Sequence, residues 1–402
     1  GALGLAPVSV RPDLHGNGIG GALIREGLGW RGLNTDVGAV AESLGAALAQ
    51  SGLMASVESA CNDAAVLPGG ETARHYDSVA RGTSAYFAWL NRGKESAVLD
   101  IKDEADRTVV ERMVSKADVF IQNLAPGAAQ RLGLGSADVV ARHPRLIAVD
   151  IVGYRQDSSA RNMRAYDMLI QAESGVCSVT GTPDAPVKVG VSIADVMTGV
   201  NAHAAILEAL IERSITGKGK AIEIAMFDTM ADMMSVPLLH HDYGGKATPR
   251  TGLEHAAIYP YCAVTCADGE IVIVVQNPGE WRRLCTGVLQ RPDLIDDPLY
   301  RDNPSRVENR RALGAIMAGV FGGMSRAQAI EKLEANKLAW SNVSTVADLS
   351  SHDALRRITV ETPGGPFEGV ASPVRREIKG GPVPALGAQT ESLRREFGEA
   401  GQ

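Results

Sequence analysis

From about residue 70 the order of hydrophobic and polar positions switches between two periods. Glu104–Ala117 places apolar residues at helical spacing, and Val119-Phe-Ile121 follows as a short strand ending at Gln122-Asn123. Ser136–Arg142 reads as a second helix. Leu146-Ile-Ala-Val-Asp-Ile-Val152 is an uninterrupted apolar strand that stops at Gly153-Tyr154. Strands alternating with helices predict a parallel sheet covered on both faces, with ligands bound beyond the carboxyl ends of its strands. Asp195–Arg213 and Ile224 to about His240 read as long helices rich in Ala and Met, of the kind that pack on one another or on a partner subunit.

The pattern changes after Tyr243-Gly-Gly-Lys-Ala-Thr-Pro249. Two alternating stretches, Ile258–Thr265 and Glu270–Gln276, flank an Ala267-Asp268-Gly269 turn and predict a hairpin, with helical segments continuing to about Thr345. From Thr359 the chain is rich in Pro and Gly and reads as a tail wrapped over a surface. The expected fold class is α/β: a doubly wound, Rossmann-like parallel sheet in a large domain, with a smaller α+β domain. The expected boundaries are an atypical N-terminal segment at 1–65, the large domain at 66–225, a linker helix and small domain at 226–345, and a tail at 346–402 returning to the large domain. A chain of 402 residues has room for two cores, because single cores rarely grow past about 250–300 residues.

Composition narrows the partners. The formal net charge is −7, and the basic clusters, Arg161–Arg164 and Arg375-Arg376, are short, so a nucleic acid is not expected. No stretch approaches the ~18 apolar residues that span a bilayer, and no leader is evident at the N-terminus, which predicts a cytoplasmic protein with no membrane partner. The five cysteines are scattered and odd in number, which fits a reducing compartment. Cys262 and Cys266 lie within an alternating apolar stretch and read as core thiols. His240 and His241 project about 100° apart on a helix and cannot grip one ion from one face, so no metal is expected.

The candidate chemistry centres on Arg164-Ala-Tyr-Asp-Met-Leu-Ile-Gln-Ala-Glu-Ser-Gly175. A polar loop feeds a helix that carries Asp167 in its first turn, where the positive end of the helix dipole favours the carboxylate. From spacing alone that carboxylate reads as a helix cap or as a nucleophile toward an acyl carbonyl.

This segment resembles the active-site stretch of the class III (CaiB/BaiF) CoA-transferases, whose aspartate forms an acyl-enzyme. Other segments resemble the family in the same order. They are Trp89-Leu-Asn-Arg-Gly-Lys-Glu-Ser96, Gln122-Asn-Leu-Ala-Pro-Gly-Ala-Ala-Gln-Arg-Leu-Gly-Leu134, Val187-Lys-Val-Gly-Val-Ser-Ile-Ala-Asp195 and Gly217-Lys-Gly-Lys-Ala-Ile-Glu-Ile-Ala-Met-Phe-Asp228. The resemblance covers about residues 66–395. It implies an interlocked homodimer that takes coenzyme A thioesters as substrates and holds no permanent cofactor. It also implies a CoA channel lined by the loop containing Asn123 and Leu124. Arg92, Lys94 and Arg131 are suitable cations for the CoA phosphates. Gln276-Asn277 falls where the family has a mobile loop, and His255-Ala-Ala-Ile-Tyr-Pro-Tyr261 resembles members acting on branched or unsaturated dicarboxylates. A dicarboxylate acceptor needs a cation for its distal charge, and Arg164, Arg250 and His255 are the candidates.

The first 65 residues depart from the family. Leu5 to Leu28, with Gly16, Gly18 and Gly21, resembles the acyl-CoA motif of GNAT acetyltransferases, but too little chain follows to complete that fold. The expected activity is therefore transfer of CoA from an acyl-CoA to a small carboxylic acid, a C4–C5 dicarboxylate, through acylated Asp167. An α-methylacyl-CoA racemase, using the aspartate in acid–base chemistry at Cα, and an inactive CoA-binding protein are the alternatives.

Overall fold

The computed structural model describes residues 70–373 and 381–398, together with the backbone of two strands, Val8–Val10 (β1) and Met54–Ser59 (β2). Most of the Gly-rich segment from Leu5 to Leu28, Cys61 and the Arg375-Arg376 pair lie outside these residues. The chain divides into two compact units. The first comprises residues 1–174, 190–233 and 356–402, and the second comprises 175–189 and 234–355.

In the first unit, β2 pairs in parallel with β3 (Lys94–Leu99), while β1 runs antiparallel to β2. A second set, β4 (Val119–Gln122), β5 (Ile147–Val152) and β6 (Ala221–Ala225), is parallel throughout in the order β4-β5-β6. The first five residues of β5 are buried, as its apolar run requires of a strand covered on both faces. Its one charge, Asp150, accepts bonds from the Ser136 amide at 3.0 Å, the Ser136 hydroxyl at 2.9 Å and Gln122 Nε2 at 2.7 Å. Those bonds hold the start of the Ser136–Arg142 helix and the end of β4 to the central strand.

The helix Glu104–Lys116 starts where Asp103 accepts from the Asp106 amide and buries Val109, Val110, Met113 and Val114 on one face. The helix Ile193–Thr216 packs on β5 and β6 through Ala202, Ile206 and Ala209. It ends at Gly217, whose φ of +73° suits a residue without Cβ. The second long helix expected from the sequence begins later, at Met226, and is two short helices, Met226–Met233 and Ser235–Asp242. Ile224 and Ala225 belong to β6, because their apolar side chains and strand pairing with Ile151 and Val152 complete the sheet.

The tail also carries more structure than its Pro and Gly content suggests. Arg357–Val360 and Phe367–Val370 form a hairpin, and Val360 joins Phe87 and Val383 in a small buried cluster. The helix Thr390–Phe397 buries Leu393 and Phe397, four residues apart, against the Glu104–Lys116 helix. The Ser96 amide donates to Gln389 Oε1 at 2.8 Å and the Val98 amide to the Thr390 hydroxyl at 2.9 Å, so the open edge of β3 is closed by the tail.

In the second unit Tyr261–Cys266, Gly269–Val274 and Ala339–Asn342 form an antiparallel sheet with Gly269–Val274 at its centre. The hairpin is the expected one, begun three residues later. Its third strand, Ala339–Asn342, falls in a region that reads as helical from sequence. Trp281, Leu284, Leu313, Phe321 and Leu333 fill the core against it. Burial pushes the Cys262 thiol up to about 11 and Cys285 up to about 12, so both stay protonated and act as packing groups. Among the described residues no helix is long and apolar enough to cross a membrane.

The tail is fastened at Asp106, which is 6% exposed and takes a forked pair of bonds at 2.8 Å from Arg394 Nε and Nη2. Burial pushes the Asp106 carboxyl up, but the Arg394 fork and the Asp100 amide outweigh it and hold the group below its ordinary value. A depressed carboxyl stabilises the fold above its unfolded pKa, and that contribution disappears as pH falls through the depressed value. Arg394→Ala is therefore expected to lower stability at pH 7 by about 2 kcal/mol. In urea melts the gap between variant and wild type should narrow below about pH 4; a gap independent of pH would contradict this account.

Candidate active site

Asp167 opens the helix Asp167–Glu173, and the loop that delivers it is fixed at several points. The chain leaves β5 at Gly153, where an added Cβ would lie 2.2 Å from the Ala165 Cβ, so the loop can close on itself only with glycine there. The Phe227 amide donates to the Gly153 carbonyl at 3.0 Å, and the Tyr154 ring stacks on Phe227 with centroids 5.5 Å apart. Arg155 approaches Asp228 at 3.3 Å, and the Gln156 amide donates to Glu223. The loop is thus tied to the end of β6 and the helix that follows it.

The half-buried Asp167 carboxylate has a partner on each oxygen. Oδ1 accepts from the Ala194 amide at 2.8 Å, and Oδ2 accepts from Gln171 Nε2 at 2.7 Å. Ala194 lies in the first turn of the helix Ile193–Thr216, and Gln171, one turn after Asp167, is fully buried. The carboxylate therefore lies at the N-terminal ends of two helices, its own and the 24-residue helix whose amide it accepts. The cap reading of the sequence does not hold for the helix that Asp167 opens, whose N-cap is Tyr166 with no side-chain cap bond. Asp167 caps the long helix while each oxygen keeps a lone pair for chemistry.

Beside it stands Asp195. Burial and the neighbouring Asp167 charge push the Asp195 carboxyl up to about 6. Neither Gln171 nor Asp195 was singled out from the sequence for a role, although both stand in the stretches that resemble the family. Their signals were the four-residue spacing from Asp167 to Gln171 and the second carboxylate at the start of a long helix.

The other candidates are spread more widely. Lys94 is nearly buried at the first position of β3. Arg92 donates from Nη1 to the Val370 carbonyl at 3.1 Å, and burial pushes its guanidinium down. Asn123 and Leu124 follow the end of β4, where the Leu124 amide donates to Gln122 Oε1 and so joins the loop to the Gln122–Asp150 pair. Arg131 is exposed at the end of the short helix Ala128–Arg131, and Arg164 is exposed three residues before Asp167.

In the second unit the candidates have local structural partners. Arg250 donates to the carbonyls of Thr182 and Pro183, each at 2.9 Å. His255 stacks on Tyr261, and its Nδ1 faces the Ala257 amide at 3.0 Å. Asn277 caps the helix Pro278–Arg283 through the Glu280 amide, and Glu280 in return accepts from the Gln276 amide. Among the described residues no group of three or more His, Cys, Asp or Glu is placed to hold a metal ion.

Comparison with known proteins gives consistent matches. A model of CoA-transferase family III matches residues 67–390. The acetyl-CoA:oxalate CoA-transferase of Acetobacter aceti is 33% identical over 337 residues, covering 82% of this chain and 86% of that protein. The succinate–glutarate CoA-transferase of Agrobacterium fabrum is 30% identical, covering 73% of this chain and 74% of the relative. Among solved structures, a CaiB/BaiF family protein from Brucella suis superposes with a TM-score of 0.68 at 31% identity, covering 85% of this chain and 91% of its own.

Proposed function

Because this chain belongs to CoA-transferase family III, we propose that it moves CoA from an acyl-CoA to a free dicarboxylic acid, with Asp167 as the residue acylated on the way. The observation that carries this reading is the Asp167 carboxylate gripped by the Ala194 amide and Gln171 at two helix N-termini. A carboxylate so held is oriented before substrate arrives, which removes much of the entropy cost of attack. Asp167 attacks the thioester carbonyl and expels the CoA thiolate, leaving a mixed anhydride. Thiolate attack on the Asp167 carbonyl frees the donor acid and leaves a thioester on the enzyme. The acceptor carboxylate then displaces the thiolate, which completes the exchange by attacking the acceptor's acyl carbon.

Asp167→Ala is expected to abolish transfer while preserving the fold, since loss of a cap costs only about 1 kcal/mol whereas loss of the nucleophile removes the covalent route. Mass spectrometry of the acid-quenched wild-type enzyme after mixing with succinyl-CoA should find the adduct on Asp167. A variant with more than a few per cent of wild-type turnover would sink the assignment.

The acceptor we propose is a dicarboxylate of four or five carbons. Relatives named for oxalate and glutarate support the class. An unpaired carboxylate is disfavoured away from water, so the distal group needs a cation, and the exposed Arg164 next to the nucleophile's helix is suited to that task. Wild-type kcat/KM should favour mesaconate or itaconate over a straight-chain monocarboxylate of equal length, and Arg164→Gln should reduce that preference by raising KM for the dicarboxylate. Equal rates on both acids would overturn the proposal.

We also propose a homodimer. The helix Ser235–Asp242 buries no residue of its own, and Val236, Leu238 and Leu239 are each more than half exposed, a face suited to a second copy. Light scattering should give a mass near twice 42.3 kDa; a monomer at micromolar concentration would refute it.

A further inference from the structure

The loop at 91–94 carries two of the cations suited to CoA phosphates, Arg92 and Lys94, and its shape is set from the far end of the chain. It starts where the helix Ala85–Leu90 stops, with the Asn91 amide and Nδ2 both donating to the Phe87 carbonyl, at 3.0 and 3.2 Å. Gly93 then turns with φ of +71°, and β3 begins at Lys94. The Lys94 amide reaches back to the Asn91 carbonyl only at 3.4 Å, so the turn holds itself weakly.

The tail supplies a firmer hold. The Gly93 amide donates to the Pro382 carbonyl at 2.9 Å, and a Cβ on Gly381 would lie 2.5 Å from Gly93 Cα. Gly381 is not among the glycines with positive φ, so close approach and not backbone conformation requires glycine there. This part of the tail is itself anchored. The Val383 amide donates to the Glu361 carbonyl at 2.8 Å, and Val383 is buried with Phe87 and Ala88. Arg74 donates to the Pro384 carbonyl at 3.2 Å and to the Ser96 hydroxyl at 3.3 Å, which fastens the tail to β3 as well.

Arg92 is held from the same side. Its Nη1 donates at 3.1 Å to the carbonyl of Val370, 278 residues downstream. The guanidinium is half-buried, burial pushes it down, and its remaining N–H groups have no partner among the described residues. The edge formed by Nε and Nη2 is therefore left for a bidentate contact with an anion. Lys94, 9% exposed, stands two residues on.

We propose that Gly381 is a positioning residue for the donor: by closing on Gly93 it sets the loop so that Arg92 and Lys94 meet the phosphates of the CoA thioester together. The proposal rests on the transfer from acyl-CoA proposed above and on this loop meeting the phosphates. Gly381 touches no substrate and acts through Gly93 and Arg92. A planar fork rewards exact placement, and a shift of about 1 Å in such a contact can cost up to about a hundredfold in rate. The effect of Gly381 is accordingly confined to donors that carry phosphates.

The test compares succinyl-CoA with succinyl-pantetheine, which lacks every phosphate of CoA, as donors to one acceptor, using the full chain. Arg92→Gln should lower the preference for succinyl-CoA, the ratio of the two kcat/KM values, about tenfold or more. Gly381→Ala should lower the same ratio about fivefold or more, through KM for succinyl-CoA with kcat retained. In the double variant the two losses should not multiply, because both act on one contact. Arg394→Ala, which loosens the tail elsewhere, is the control for lost stability and should leave the ratio unchanged. If Gly381→Ala slows both donors alike or neither, or if Arg394→Ala moves the ratio as far, the proposal is overturned while Arg92 keeps its phosphate. If Arg92→Gln leaves the ratio unchanged, the phosphate assignment falls and this proposal with it. Absence of transfer in the wild type would overturn the transferase reading itself. Should Gly381→Ala not fold, hydrogen exchange of the wild-type Gly93 amide decides: saturating CoA should slow it, pantetheine at the same concentration should not, and equal exchange overturns the proposal.

Discussion

The bond from the Ala194 amide to Asp167 Oδ1 joins the helix that carries the candidate nucleophile to the 24-residue helix on which it packs. The first turn of any helix leaves amides without intrahelical partners, and here one of them faces the carboxylate proposed as the nucleophile. Its demand for an acceptor fixes the start of the helix Ile193–Thr216 relative to the helix Asp167–Glu173. Gln171 holds the other oxygen from a fully buried position. The loop ahead of Asp167 must then close between Gly153 and Ala165, and Gly153 has no Cβ because there is no room for one. Positioning of the carboxylate and packing of this part of the first unit are therefore one constraint.

Much of this was readable from residue order. The continuous apolar run of β5 announced a strand buried on both faces, and the spacing in Glu104–Lys116 fixed its buried side almost residue by residue. Asp167 could be located by its place after a polar loop at a helix start. Periodicity could not tell that Ile224 and Ala225 extend a strand, because a short apolar run adjoining a helix satisfies either pattern and only pairing with β5 decides it. Nor could composition reveal the tail's helix. Its evidence was two apolar residues, Leu393 and Phe397, in a charged segment, meaningful only once the partner face on Glu104–Lys116 is known.

The candidate site was less legible than the fold. The cations expected to meet phosphates turn out to differ in exposure, from nearly buried Lys94 to exposed Arg131. Sequence marks a side chain's charge but not the carbonyls it will meet, and Arg250, with its bonds to Thr182 and Pro183, shows how a cation can serve a loop. Asp195 was hidden for a different reason. An acidic residue in the first turn of a helix is so ordinary that its interest arises only from the second carboxylate that the fold sets beside it.

The closure of β3 by Gln389 and Thr390 also bears on how the chain is made. These bonds join positions 293 and 292 residues apart, so on the ribosome the Ser96 and Val98 amides wait for all of the intervening residues. At cellular elongation rates that interval is roughly 15 to 60 s. Throughout it a strand edge stands open to any other extended peptide, and the first unit cannot be completed until Gln389 and Thr390 have emerged. Chaperones that shield strand edges have their longest opportunity on this protein just before Gln389 and Thr390 emerge.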